Sequence, residues 1–188
     1  MMLDIVLVEP EIPQNTGNIA RTCVAVGATL HLVEPLGFSI EDRQVKRAGL
    51  DYWFDLDLHV WPSYDSLLKS LRPDGNGQGI YYATTRCSQV YSDIRYPERT
   101  LIVFGKETKG LPESMLLAHP ERCIRIPMLP GRRSLNLANS VAVAAYEVLR
   151  QNGFPGLLTE GRISNTSPAQ IPAPDPARQA NTAPEEFR

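Results

Sequence analysis

Short apolar runs alternate with helical segments along most of this chain, and that alternation limits the fold more than any other feature. The runs are LDIVLV (3–8), LHLVEP (30–35), residues 57–61, IYYATT (80–85), LIVFG (101–105) and CIRIPM (123–128). Between them the spacing predicts a helix capped by Asn15 or Thr16 and running to about Val26, with Ile19, Cys23 and Val26 on one face. Further helices are predicted near 40–48, over 63–71 and over LPESMLLA (111–118). Buried strands separated by helices indicate an α/β fold, a mostly parallel sheet flanked by helices.

The last predicted helix is the clearest. Leu137, Val141, Ala144, Ala145 and Val148 recur at the spacing of one apolar face, while Asn139, Tyr146 and Arg150 share another. It is entered through IPMLPGRRSLN, a stretch stiffened by two prolines. Ser134 or Asn136 is the natural N-cap, since a short side-chain oxygen accepts from the free N–H groups of a first turn. The remaining N–H groups, with Arg132 and Arg133 just before them, suit an anion or a polar ligand edge.

Two other stretches have the same character. In EPEIPQNTGNIARTC, Gly17 permits close backbone approach, and Asn18 and Arg21 share a helix face beside it. In LIVFGKETKGLPES a strand ends at Gly105, Glu107 follows, and Gly110 and Pro112 lead into a helix. Ligands of open parallel sheets lie beyond the carboxyl ends of the strands. The loops at 83–85, 105–110 and 126–134 all leave such ends, so they converge. GNGQG (75–79) looks like a cofactor loop but has the wrong polarity: it follows a helix and opens a strand, and reads as a turn.

Composition excludes several classes. No apolar run is long enough to span a membrane, and the N-terminus has no basic segment of a signal peptide. Cys23, Cys87 and Cys123 are odd in number and form no CxxC pair, which points to reduced thiols in a cytoplasm. His31, His59 and His119 are equally scattered, so no metal site is expected. A net charge of −2 argues against non-specific coating of nucleic acid, yet leaves room for local patches at Lys46 and Arg47, Lys106 and Lys109, and Arg132 and Arg133. From about Leu158 the chain is rich in Pro, Ala, Asn, Ser and Thr, and is expected to be a disordered tail (158–188) behind one folded domain (1–157).

Taken together the three stretches carry a resemblance. Asn15-Thr16-Gly17-Asn18 with Arg21, Phe104-Gly105-Lys106-Glu107 with Gly110-Leu111, and Ile126-Pro127-Met128 with Ser134-Leu135-Asn136 and Tyr146-Glu147 resemble, in order, the three motifs of the SPOUT superfamily of RNA methyltransferases. The match covers residues 3 to about 157. With the RAGLDYW segment (47–53) and no added RNA-binding domain, the chain resembles the minimal, TrmL-like branch, which methylates the ribose 2′-hydroxyl of the wobble nucleotide (position 34, cytidine or modified uridine) of transfer RNA.

That resemblance implies a C-terminal trefoil knot, a homodimer, a bound S-adenosyl-L-methionine and a transfer RNA anticodon stem-loop as substrate. It implies a cofactor site built from Ala83, Thr84, Gly105, Glu107, Ile126, Met128, Ser134, Leu135 and Asn136, much of it through backbone groups. RNA contacts are implied for Asn15, Asn18, Arg21, Lys46, Arg47, Arg132, Arg133 and Tyr146. Arg21 is the implied catalytic residue. A guanidinium stays protonated and is a weak base, so Arg21 reads as an electrostatic clamp on phosphate and developing alkoxide, with the proton acceptor left open. Glu107 reads as a loop or helix anchor more than a base. Two rivals share the same features: a methyltransferase of this superfamily acting on ribosomal RNA, and a nucleotide- or RNA-binding protein without catalysis.

Overall fold

The structure is a computed structural model that describes residues 1–40, 53–71 and 79–161. Strand β1 (Met2–Val8) is followed by helix α1 (Pro13–Val26) and β2 (Thr29–Val33). Then come β3 (Leu58–Trp61), α2 (Tyr64–Leu71), β4 (Ile80–Ala83), β5 (Arg99–Phe104), α3 (Glu113–Ala118), β6 (Cys123–Ile124) and α4 (Leu137–Gln151). The strands form one sheet in the order β3-β2-β1-β5-β4-β6, and each pairing is parallel.

Strand β1 shows why the sheet needs two covering layers. Side chains alternate across a strand. Leu3, Ile5 and Leu7 enter one apolar cluster with Ile19, Cys23 and Val26 of α1 and Val141, Ala144, Ala145 and Val148 of α4. Val6 and Val8 enter a second with Leu67 of α2 and Leu116 of α3. The apolar face expected for α4 is thus the face that meets the sheet. Packing against the core runs to Leu157, whereas Leu158 is 89% exposed. Among the described residues no helix is long and apolar enough to cross a membrane.

Some expected boundaries are corrected. Helix α1 starts at Pro13, with Ile12 as an N-cap that offers no side-chain bond. Neither Asn15 nor Thr16 caps it: both are buried, and the Thr16 hydroxyl has no partner among the described residues. Proline at N1 has φ already set for the helix and no N–H to satisfy, so the start lies earlier than the polar residues suggest. Strand β6 has two residues, not six; beyond it Arg125 bridges Val90, and Pro127 has no N–H to extend a ladder. The helix expected near 40–48, most of GNGQG, and the tail from 162 lie outside the described residues.

The topology itself positions the site. From β1 the chain winds one way through β2 and β3, and on the other side lie β5, β4 and β6. The winding reverses between β1 and β5, where the strand ends open a crevice.

Candidate active site

Phe104 ends β5 in the core, and the chain then turns sharply. The Gly110 N–H donates to the Lys106 carbonyl at 2.8 Å, folding the turn back onto Gly105. A Cβ on Gly105 would lie 2.1 Å from the Gly110 carbonyl carbon and 2.2 Å from the Leu111 nitrogen. Only glycine fits, because the obstacle is backbone.

This turn is bonded to the segment entering α1. The Glu107 carboxylate accepts from the Glu11 N–H at 2.9 Å, the Ile12 N–H at 3.3 Å and the Asn15 Nδ2 at 2.9 Å. It therefore ties down, from across the fold, the residues that lead into the helix, and its negative charge suits the positive end of the helix. Two more contacts run in parallel. The Glu11 carboxylate accepts from the Thr108 N–H and hydroxyl at 3.1 and 3.0 Å. Lys106 Nζ donates to Glu9 at 2.6 Å, and that bond raises the lysine above its ordinary pKa.

The network continues into α4. Asn15 Oδ1 accepts from Asn136 Nδ2 at 2.9 Å, and Asn136 Oδ1 caps α4 by accepting from the N–H groups of Ala138 and Asn139 at 2.9 and 3.3 Å. The cap is Asn136, not Ser134, and it takes two of the N–H groups expected to be open to a ligand. Asn15 is 6% exposed with both amide atoms engaged inside the protein. It joins the three motif segments, which differs from the RNA contact the resemblance implies.

Around this junction lies a cavity of about 770 Å³. Its walls include Ala83, Thr84, Gly105, Glu107, Ile126, Met128, Ser134, Leu135 and Asn136, so the structure brings all of the expected cofactor residues to one place. Arg133 and Asn15 also line it. Arg132 lies on an exposed stretch outside the lining. Asn18 and Arg21 lie on the exposed side of α1, and Tyr146 on the exposed side of α4, likewise away from this chain's own cavity. Lys46 and Arg47 lie outside the described residues.

Sequence reasoning missed Arg86 and Ser140, which line the cavity too, beside Ile12, Phe104, Thr85 and Lys109 of the expected segments. Arg86 stands one residue beyond the loop expected to contribute, so only the chain's course past Thr85 could have revealed it. The cavity's volume falls within the range of small-molecule and cofactor sites. Mixed apolar walls and backbone edges suit a flat heteroaromatic group with a polar tail. Among the described residues no cluster of His, Cys, Asp or Glu could hold a metal ion.

Comparison with known proteins agrees with this geometry. Residues 2–146 match the model of the SpoU rRNA Methylase family. A protein of Methylovorus glucosotrophus named tRNA (cytidine(34)-2′-O)-methyltransferase is 48% identical over 156 residues, covering 82% of this chain and 99% of that protein. Among solved structures, one described as "Structural insights into the 2-OH methylation of C/U34 on tRNA" is 43% identical with a TM-score of 0.73, covering 81% of this chain and 97% of its own. The SpoU methyltransferase AviRb of Streptomyces viridochromogenes, in complex with the cofactor AdoMet, is 25% identical with a TM-score of 0.71, covering 80% of this chain and 58% of its own.

Proposed function

This chain belongs to the SpoU methylase family, and from that premise we propose that it methylates the ribose 2′-hydroxyl of the wobble nucleotide, position 34, of transfer RNA. One observation carries the reading. The three segments that resemble the superfamily's motifs are joined side by side through Glu107, Asn15 and Asn136 around a single cavity. Relatives that share nearly half of the sequence are named for this reaction.

S-adenosyl-L-methionine is the cofactor, and it fits the cavity by volume and by the chemistry of the walls. Ala83, Thr84, Gly105, Ile126, Met128 and Leu135 would hold it largely through backbone groups, with Ser134 beside them. When bound it supplies an electrophilic methyl group on a sulfonium. The protein's part is mostly positioning. Glu107 has both oxygens committed to the N–H groups of Glu11 and Ile12 and to Asn15, which supports the anchor role over that of a base.

Arg21 clamps the substrate phosphate and stabilises charge developing on the 2′-oxygen. It is absent from the lining of its own chain's cavity, so this role calls for a second copy of the chain that brings α1 to the site. A homodimer through the exposed sides of α1 and α4, with Tyr146 near the RNA, is therefore part of the proposal. So are a trefoil knot in the C-terminal half, an anticodon stem-loop substrate and action in the cytoplasm, all supported by the family resemblance.

The test is direct. The protein is incubated with labelled cofactor and, separately, total transfer RNA and ribosomal RNA, and the product is mapped by mass spectrometry. Label at the 2′-oxygen of nucleotide 34 supports the reading; label confined to ribosomal RNA, or none, overturns it. Sedimentation at micromolar concentration tests the dimer, and a single monomeric species would defeat it.

A further inference from the structure

The cofactor does not account for all of the charge around the cavity. Four cations line it, Arg86, Lys106, Lys109 and Arg133, against one carboxylate, Glu107, in a chain whose net charge is −2. S-adenosylmethionine has a sulfonium, an ammonium and a single carboxylate, and is itself net positive. A cofactor of that charge does not call for so basic a rim, which suits a second, anionic ligand.

Lys106 is already neutralised by Glu9, and Glu107 is consumed by the Glu11 N–H and Asn15. Among the described residues, the side chains of Arg86, Lys109 and Arg133 have neither an ion-pair nor a hydrogen-bond partner, and all three are exposed. They come from three loops: after β4, after β5 and before α4. The first loop is held rigidly. The Arg86 N–H donates to Thr84 Oγ1 at 3.2 Å, and Arg125 Nη1 donates to the Thr85 carbonyl at 2.9 Å. A cation on so fixed a turn, beside a cavity and without a partner, is placed for a ligand.

We propose that Arg86 and Lys109, together with Arg133, form a phosphate clamp at the cavity mouth that grips the single-stranded RNA backbone on either side of the nucleotide to be methylated. The inference rests on the RNA-methylation reading above. Arg86 and Lys109 are positioning residues: they hold the strand while its ribose enters, and they read no base.

Each cation that meets a phosphate on a single strand adds about 0.7 to the dependence of log affinity on log salt. Transfer RNA binding by the full-length protein is therefore measured across a salt series for wild type, Arg86→Gln, Lys109→Gln, the double variant, and Lys69→Gln as a surface control. The expected result is a salt slope shallower by about 0.7 for each cation removed. KM for transfer RNA should rise while kcat at saturating RNA is kept, S-adenosylmethionine affinity should be unchanged, and Lys69→Gln should behave as wild type. Wild-type slopes and wild-type KM in both single variants would overturn the clamp. A parallel loss of cofactor affinity would also overturn it, since the two side chains would then hold the methionine carboxylate. If wild type itself shows no salt-dependent binding of transfer RNA, the reading beneath falls and the clamp with it.

Discussion

Replacing Glu107 with Ala removes the acceptor for three donors at once, and the structure sets the expected cost. The bonds from the Glu11 N–H and Asn15 Nδ2 are short and partly buried, while that from Ile12 is longer and exposed. A buried donor left without a partner costs about 1–3 kcal/mol, less where water can reach it. The two shielded donors should thus cost roughly 2–3 kcal/mol together, the exposed one little. In a chain of this length that lowers Tm by about 5–10 °C. Glu107→Gln retains one carbonyl oxygen for Ile12 and Asn15 and should cost roughly 1 kcal/mol, from the one donor it strands.

The assay is thermal unfolding at one fixed protein concentration, since a dimer's Tm depends on concentration. It is paired with calorimetric titration of S-adenosylmethionine and with single-turnover methylation. Glu107→Ala should lose stability and cofactor affinity together, because the turn it anchors walls the cavity. Glu107→Gln should keep most of its activity. In a cycle with Asn15→Ala the two losses should be less than additive, as expected for partners in one network. Two results would refute the reasoning: a Glu107→Ala protein that melts within about 1 °C of the parent, or a Glu107→Gln protein of full stability that no longer turns over, which would make Glu107 the base.

Other perturbations have equally definite outcomes. Gly105→Ala should cost both stability and at least tenfold in cofactor affinity, because its Cβ meets the backbone of Gly110 and Leu111 and forces the turn to open; calorimetry reads both. Arg21→Ala should keep cofactor affinity within a few fold and lower single-turnover methylation by ~10²–10³, with Arg21→Lys recovering little because a point charge cannot replace the planar fork. The Arg150 guanidinium, helped by Gln151 and opposed by partial burial, holds the Glu147 carboxyl below its ordinary value of 4.5. Its stabilisation is therefore complete above that value and is lost as pH falls through the lowered one. Glu147→Gln should cost about 1 kcal/mol at neutral pH, discounted for the exposed Arg150, and the gap from wild type in denaturant titrations should close in acid.

Local pattern determined the layers of this protein. Largely apolar strands such as residues 3–8 can be buried only between two helical layers, and the face of α4 built from Val141, Ala144, Ala145 and Val148 was legible from spacing alone. The convergence of the loops after β4, β5 and β6 followed from the rule that parallel strands end on one edge, which is why the expected cofactor residues meet at the cavity. What spacing could not contain was the pairing across the fold. Glu107 bonds groups 92–96 residues away, and Asn136 bonds a partner 121 residues away. Nothing in the residues near Asn15 says that its amide is spent inside the protein, or that Ile12 can begin a helix without a cap. Nor does the segment around Arg86 say that its guanidinium stands at the mouth of a cavity. Periodicity records only which face of an element is apolar; the partner of a polar group is chosen when the sheet brings distant loops within hydrogen-bond reach.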